Sequence, residues 1–579
     1  MTAGADLILT GGQVLTMEPG AAPAQALAVA QGRILAAGTD AEVLATAGPA
    51  TRRIALDGAT VIPGIIDAHA HMEREGLKTL RPSLAHAKSI AEVLDVVRRE
   101  ARRLPAGAWI ITMPVGAPPF YFGGPANLAE GRMPTRHELD AAAPDHPVYI
   151  PGLFGNWGVP PGHSALNTLA LQRNRITAGT CPDCEGLHIE IGADGEPTGV
   201  IVETNKRPAI EFSILAQVPP FGFADRLEGL RRSLPLYHAF GTTSVYEGHG
   251  SAPETIAVYR ALWEQGGLTM RTRLCVSPTW SDAAEARLAM RDWLAHARGR
   301  GTGDPWFAVG GVFIGLGGQP AVARAVRRAL PNTGWTGFVE WANRIEDFRD
   351  QAWLAAEFDL RVHCAVMDRL AEVLDVFEAI DARFPLAGRR WVVEHVGRVA
   401  PQDVERIRRL GLAVTTIPLY MLWKNGAAYL GAPDEGNGIV PQRLLLEAGI
   451  DVAAGSDNIP VSPFSAMWAS AVRRERTTGR VIGPAQRLTR LQALATLTRN
   501  GAFLSFEEQA KGTLAPGKLA DFAVLSADPL AVPEEQLPLL HARRTFAGGR
   551  EVHRGDGDAP AGAAVDWYPA WESGNPRGG

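Results

Sequence analysis

The chain has 579 residues, of which 46% are hydrophobic and 21% charged, and this composition is typical of a globular protein with two or three folding units. A net charge of −5 and a pI near 6.3 exclude the basic surface that nucleic acid or an anionic membrane would need. Four cysteines exclude a disulfide framework, and without a signal-peptide pattern or a membrane-length apolar run we expect a cytoplasmic protein.

The two ends of the chain both show short strand-like runs separated by tight turns. Neither end is long enough to bury a core alone, so we expect residues 1–60 and 506–556 to form one composite β-sandwich domain. Residues 557–579 are rich in Gly, Pro and Ala. They are predicted to be a flexible tail or an arm on a partner subunit, because we expect a homo-oligomer, most simply a dimer.

The middle of the chain alternates apolar strand-like runs with helical patterns, which predicts an α/β fold with parallel strands. Eight such runs favour a (β/α)8 TIM barrel over residues 61–505, with its active site at the carboxyl ends of the strands. The predicted strands are 61–67, 242–247, 271–276, 308–314, 361–364, 391–394, 412–417 and 450–455.

The first predicted barrel strand is separated from the second by an unusually long segment, from residue 67 to residue 242. Connections of this length are usually functional insertions. We therefore interpret residues 105–235 as a lid or substrate-shaping subdomain within the barrel.

Metal-binding side chains follow several of the predicted strands. The stretch VIPGIIDAHAHM (61–72) ends in an H-x-H pair, and strand geometry would put His69 and His71 on one face. His363 ends the fifth strand, His395 follows the sixth and Asp457 follows the eighth. Imidazole and carboxylate ligands at one face of a barrel predict a site for a divalent ion, with Zn²⁺ as the first choice.

Five separated motifs resemble those of the amidohydrolase superfamily, in its amidohydrolase-3 branch. They are VIPGIIDAHAH, RVHCAVMDRL, WVVEHV, AAGSDNIP and GTLAPGKLADFAVLSADPL, and they cover nearly the whole chain in the expected order. The resemblance implies a metal-dependent hydrolase of C–N bonds. It also implies that His69, His71, His363, His395 and Asp457 bind the metal or act beside it.

One departure from the branch concerns the fourth strand, where many members carry a lysine whose carboxylated form bridges two metals. The corresponding stretch here is GVFIGLGG (311–318), and Phe313 stands where the lysine would fall. We therefore expect no carboxylated lysine and one ion per chain, held by His69, His71, His363 and Asp457 in some combination. The alternative is that Glu247, at the end of the second strand, supplies an extra carboxylate.

The expected mechanism uses metal-activated water on an amide-type bond. Asp457 would act as general base and then general acid, and His395 would polarise the substrate carbonyl and stabilise the developing oxyanion. The same site could instead serve ester or lactone hydrolysis, deamination or metal-assisted C–C cleavage. A barrel without activity that acts as a binding protein is a further alternative.

Bulky apolar side chains in the predicted loops suggest a small substrate with a hydrophobic or aromatic group. The candidate pocket residues are Phe120, Tyr121, Trp157, Trp280, Phe313, Trp341, Tyr420 and Trp423.

Overall fold

The computed structural model describes residues 4–153, 160–205, 209–339, 341–432 and 434–555. Eight parallel strands pair in chain order into a nearly closed barrel, which confirms the predicted fold class. The strands are β1 (Ile65–Ala70), β2 (Thr242–Ser251), β3 (Arg271–Val276), β4 (Phe307–Phe313), β5 (Val362–Ala365), β6 (Val392–Glu394), β7 (Ala413–Thr416) and β8 (Val452–Ala454).

The seam between β8 and β1 is closed by a few contacts instead of a regular ladder. The backbone N–H of Asp457 donates to the carbonyl of His69 at 2.8 Å. The buried carboxylate of Asp67 accepts hydrogen bonds from the backbone and hydroxyl of Ser456 and from the backbone N–H of His69. These bonds place His69 and Asp457 side by side at the carboxyl end of the barrel.

The predicted first strand, 61–67, is wrong in its limits because the chain changes sheets at Gly64. Strand Thr60–Pro63 belongs to a terminal sheet, and β1 begins only at Ile65. A Cβ at Gly64 would lie 2.1 Å from Oγ1 of Thr243. Glycine therefore lets the chain cross closely over β2 between the two sheets.

Two small sheets are built from the terminal parts of the chain. Strand Thr60–Pro63 pairs antiparallel with Phe522–Leu525, so segments from both ends share one sheet. The domain limits themselves stay predictions. In sheet order, the first sheet contains Arg33–Gly38, Ala26–Ala30, Ala5–Thr10 and Ala47–Ala55, and the second contains Gln13–Val14, Thr60–Pro63, Phe522–Leu525, Ala542–Ala547 and Arg550–Arg554.

The long segment after β1 carries a five-stranded sheet with its own apolar core. Its function as a lid stays a prediction. Trp157 and the predicted tail, residues 557–579, lie outside the described residues. In sheet order the strands are Leu187–Ile191, Pro197–Glu203, Gly162–Leu166, Val148–Ile150 and Ile110–Ile111.

Helices cover the outside of the barrel and flank the other sheets, and a two-residue strand, Thr302–Gly303, pairs with β4. None of the helices in the described ranges has both the length and the apolar character that crossing a bilayer requires. The α-helices are Asp40–Leu44, Met72–Leu77, Ile90–Arg103, Arg136–Ala142, Thr168–Arg173, Ile210–Ser213, Phe223–His238, Pro253–Glu264, Ala283–Leu288, Pro320–Arg328, Ile345–Glu357, Leu370–Asp381, Pro401–Leu410, Gln442–Glu447, Pro463–Val472, Arg490–Thr496 and Arg499–Leu504.

Candidate metal centre

Four histidines and one aspartate converge at the carboxyl ends of the barrel strands. His69 lies in β1, His71 directly follows it, His249 lies in β2, His395 follows β6 and Asp457 follows β8. Potential ligand atoms of His69, His249 and His395 lie within 4.8 Å of one another, and so do those of His69, His71 and Asp457. All five residues are buried. The cluster therefore offers nitrogen and oxygen ligands in two overlapping groups that share His69.

Two close contacts define the centre of this cluster. Nε2 of His69 lies 3.0 Å from Nε2 of His395, and Nε2 of His71 lies 3.1 Å from Oδ1 of Asp457. His395 and Asp457 both adopt left-handed backbone angles, with φ of 50° and 53°. Such angles are costly for residues other than glycine, and strained backbone of this kind clusters at functional sites.

Burial and neighbouring charges set the protonation of these groups. Burial, with the adjacent His395, lowers the pKa of His69 well below its ordinary value, which favours the neutral imidazole. Burial alone would raise the pKa of Asp457, but the hydrogen bond with His71 and the nearby imidazoles hold it below its usual range. A neutral imidazole beside an ionised carboxylate is the form that binds a divalent cation.

His363, which the sequence predicts as a ligand, lies close by but belongs to neither group of converging atoms. Its Nδ1 lies 3.2 Å from Oε1 of Glu394, and its Nε2 lies 3.0 Å from the hydroxyl of Tyr246. Both ring nitrogens are thus turned towards protein partners below the cluster. Sequence spacing places the residue on the right strand but does not determine the direction of its ring.

Glu247, the predicted extra carboxylate, lies behind His71 instead of among the converging atoms. Its Oε2 is 3.4 Å from Nδ1 of His71, on the side of the ring away from Asp457. Its Oε1 accepts hydrogen bonds from the backbone N–H of Met72, at 2.7 Å, and from the hydroxyl of Tyr259. This geometry suits a residue that orients an imidazole.

The sequence interpretation missed His249. A signal was present in the sequence Gly248-His249-Gly250, because two flanking glycines allow an unusually close approach of backbone and neighbours. A Cβ at Gly248 would lie 2.0 Å from Nδ1 of His69, and one at Gly250 would lie 2.9 Å from the side chain of Phe313. β2 also loses register with β3 after Glu247. This irregularity brings His249 into the cluster.

Aromatic rings form one wall of the site around His249. The imidazole lies 5.4 Å from the ring of Phe313, 5.1 Å from Phe338 and 5.5 Å from Trp341. Of the predicted pocket residues, Phe313 and Trp341 are therefore beside the cluster. Phe338 was not predicted.

A second aromatic group lies on the side of His395. The rings of His395 and Tyr420 are 6.3 Å apart, and Phe120 contacts Trp423 at 5.4 Å. Tyr121, next to Phe120, is buried with a left-handed backbone. The described contacts connect Trp280 to a different region, because its indole N–H donates to Gln351 at 2.7 Å.

A buried cation also lies beside the site. Arg74 stands on the helix that follows His71, with its guanidinium 5.4 Å above the ring of Phe338. Burial lowers the pKa of Arg74, whereas the carboxylates of Asp457 and Glu247 oppose that shift. No pattern in the sequence marks this positive charge as part of the site.

The barrel fold and the buried cluster of imidazoles and a carboxylate are typical of metal-dependent hydrolases. Comparison with known families indicates the same class of protein. The chain belongs to the amidohydrolase family, whose model matches residues 52–553. Members of this family are hydrolases that act on C–N bonds, and the protein is an enzyme of this kind.

Individual relatives are similar along nearly their full length. The chain is 26% identical to N-substituted formamide deformylase of Arthrobacter pascens, over 95% of this chain and 98% of that protein. It is 27% identical to the putative amidohydrolase YtcJ of Bacillus subtilis strain 168, over 94% of this chain and 98% of that protein. In fold it is similar to an uncharacterised metal-dependent hydrolase from Pyrococcus horikoshii, with a TM-score of 0.63, 20% identity and coverage of 91% and 99%.

Proposed function

We propose that the protein is a metal-dependent amidohydrolase that cleaves the C–N bond of a small amide carrying a hydrophobic or aromatic group. The observation that carries this proposal is the convergence of buried imidazole nitrogens and one carboxylate at the carboxyl end of the barrel. In barrel enzymes this face holds the active site.

The residues present fit a divalent metal ion. Nε2 of His69 and Nε2 of His395 lie only 3.0 Å apart, so the two imidazoles can share a proton or a divalent ion between them. His69, His71 and Asp457, whose potential ligand atoms lie within 4.8 Å of one another, would hold the ion, and nitrogen and oxygen ligands suit zinc. Such an ion would polarise the substrate carbonyl and lower the pKa of water, which allows amide hydrolysis near neutral pH.

Asp457 is the group best placed to move the proton. Its carboxylate stays ionised because the neighbouring imidazoles hold its pKa low, and the residue is 8% exposed. It would accept a proton from water as the oxygen attacks the acyl carbon. The same proton then passes to the departing nitrogen as the C–N bond breaks, so that acid and amine are the products.

His395 would act on the carbonyl oxygen of the substrate. Its ring packs parallel to that of His249, with centroids 4.9 Å apart, and edge-on to His69. An imidazole fixed in this way can stabilise the charge that develops on the oxygen without reorganising during the reaction.

The aromatic side chains around the cluster support the substrate class. Phe313, Phe338 and Trp341 form a wall beside His249, and rings of this kind favour a flat or apolar substituent. A relative that matches 95% of the chain at 26% identity is named for its action on N-substituted formamides. We therefore place N-substituted formamides and aromatic amides first.

A substrate panel tests this proposal. Zinc-loaded enzyme is assayed with N-benzyl formamide, aromatic amides, the matching esters and lactones, and aminopurines, and the released amine, acid or ammonia is measured. We expect turnover of amides, with kcat for Asp457→Asn reduced at least about 100-fold because the proton-transfer group is removed. If the enzyme turned over only esters or only aminopurines, the proposed reaction would become ester hydrolysis or deamination instead of amide hydrolysis. No turnover of any compound would contradict the proposal.

A further inference from the structure

We propose that His249 of β2, and not His363 of β5, completes the set of histidines that binds the metal. This inference rests on the metal-dependent function proposed above. It departs from the ligand set that the motifs imply, in which the fifth-strand histidine takes part.

The hydrogen bonds of His363 leave no ring lone pair directed at the cluster. Arg361 donates from Nη1 to the hydroxyl of Tyr246 at 3.1 Å, and that hydroxyl lies 3.0 Å from Nε2 of His363. Nδ1 of His363 lies 3.2 Å from Glu394. Because the guanidinium can only donate, the tyrosine donates to Nε2, and Nδ1 donates to the carboxylate. Both ring nitrogens of His363 and the hydroxyl of Tyr246 thus have matching partners.

Removing His363 from this chain would be costly. The residue is fully buried, and so are Tyr246, Arg361 and Glu394. If Nε2 turned to bind a metal, the hydroxyl of Tyr246 would lose its acceptor and Glu394 would lose its donor. A buried polar group without a partner costs about 1–3 kcal/mol. His363 is thus a structural support beneath the site.

His249, in contrast, is delivered into the cluster by the local backbone of β2. A potential ligand atom of its ring lies within 4.8 Å of those of both His69 and His395. The strand is irregular here: between the pairs Glu247–Leu274 and Ser251–Val276 it contains two more residues than β3. The glycines on both sides remove the Cβ atoms that would clash with His69 and Phe313. Backbone irregularity next to glycine commonly re-aims a side chain at a functional site.

The residue at the end of β4 agrees with this assignment of His249. Phe313 occupies the end of β4, where the motif comparison expects a metal-bridging lysine, and its ring lies 5.4 Å from that of His249. An apolar ring offers no ligand. The imidazole of His249 lies against this ring, so β2 supplies a nitrogen ligand at a place where β4 supplies none.

Cobalt binding distinguishes the two histidines. Metal-free wild type, His249→Asn and His363→Asn are each titrated with Co²⁺ alone, and the visible absorption of the bound ion is followed. We expect the affinity of His249→Asn for Co²⁺ to fall at least about tenfold with an altered spectrum, because a ligand is lost. His363→Asn, in which the proposed ligands remain, should bind Co²⁺ with the same visible spectrum as the wild type, while its free energy of unfolding falls because Tyr246 and Glu394 lose a buried partner.

Diffraction data collected at the cobalt absorption edge from wild-type crystals give a second measurement that does not depend on a variant folding. The anomalous peak should lie within bonding distance of His249, about 2.0–2.2 Å, and not of His363. Bonding to His363 together with unchanged affinity of His249→Asn would overturn this inference. Absence of Co²⁺ binding by the wild type would instead overturn the proposed metal-dependent function.

Discussion

His71 lies between two carboxylates, and this position determines which ring nitrogen faces the site. Nδ1 is 3.4 Å from Glu247 and Nε2 is 3.1 Å from Asp457. A histidine that binds a metal usually donates its other N–H to a carboxylate or carbonyl, which fixes its tautomer and orientation. Glu247 is itself held by Tyr259 and the backbone of Met72. We therefore regard Glu247 as a positioning residue for His71.

Replacing Glu247 by Gln should weaken metal binding without removing a ligand. The amide keeps the size of the side chain but loses the charge that favours a proton on Nδ1 of His71. Loss of such a partner typically lowers metal affinity about 10–100-fold. The measurement is a Co²⁺ titration of the metal-free variant, with thermal unfolding as a check on folding.

Glu264→Gln is the matched control for this test, since Glu264 is exposed and, among the described residues, forms its ion pair with Arg260 on the same helix. Its metal affinity should equal that of the wild type. If Glu247→Gln also bound Co²⁺ as the wild type does, Glu247 would have no role in orienting His71.

Residues at strand ends could be located from the sequence, but the directions of their side chains could not. The rule that parallel strands end at one face predicts that His69, His71, His395 and Asp457 meet, and the structure places them in two groups that share His69. His363 lies outside both groups because hydrogen bonds to Tyr246 and Glu394 determine its ring direction. Such long-range contacts have no local sequence signal.

The carboxyl end of β2 is the element that shapes the site. It lies so close to β1 that Gly248 has no room for a side chain, because a Cβ would lie 2.0 Å from Nδ1 of His69. Hydrophobic periodicity could not predict the irregular register of this end. A β-bulge adds residues to one strand and so changes which side chains face the site, and the hydrophobic pattern does not show where this happens. This is the physical reason why His249 was overlooked.

Gly248→Ala should therefore damage the site through backbone displacement. We expect a loss of about 1–3 kcal/mol in the free energy of unfolding, as for other insertions into a packed interior, together with weaker Co²⁺ binding. Denaturant unfolding and cobalt titration measure the two effects. In Gly179→Ala the new methyl group meets no closer atom than Oγ1 of Thr177, at 3.9 Å, so both quantities should stay unchanged. Equal behaviour of the two variants would refute the close-packing argument.

At the scale of the whole molecule, the barrel and the terminal sheets are joined by buried polar contacts. Arg271 of β3 forms two hydrogen bonds with Asp521. The carbonyl of His238, just before β2, accepts from the hydroxyl of Thr545. The ring of His238 is also buried, with Nδ1 2.9 Å from the carbonyl of Thr242 and Nε2 2.9 Å from the hydroxyl of Thr269. The neutral ring of His238 thus connects the starts of β2 and β3 beside this junction.

Acid should destabilise this junction. Burial lowers the pKa of His238 to about 4, although the carbonyl of Thr242 opposes the shift. The unfolded chain, with an ordinary histidine pKa of about 6.5, binds more protons than the folded chain between these values. Stability therefore falls as the pH decreases from about 6.5 to about 4, and His238 alone should contribute about 2 kcal/mol between pH 7 and pH 5.

Urea unfolding of the wild type and His238→Gln at pH 7 and pH 5 measures this contribution. The variant should be less stable than the wild type at both pH values. Between pH 7 and pH 5, however, its free energy of unfolding should decrease by about 2 kcal/mol less than that of the wild type. An identical decrease in both proteins would show that His238 does not titrate on unfolding.

The architecture was largely predictable because hydrophobic runs of regular spacing specify parallel strands and their order. The eight barrel strands and the contribution of both chain ends to one sheet follow from that pattern. The change of sheet at Gly64 did not, since it depends on close packing against Thr243. Dimer formation and the domain limits stay predictions.

The most direct test of the central claim is a zinc titration of metal-free enzyme with its best amide substrate, followed by amine release and by metal analysis of the same samples. We predict no activity before zinc is added, and a linear rise that reaches its plateau at one ion per chain. Full activity without metal would contradict metal-dependent hydrolysis. A plateau reached only at two ions per chain would contradict a single-ion site built on His69 and His71.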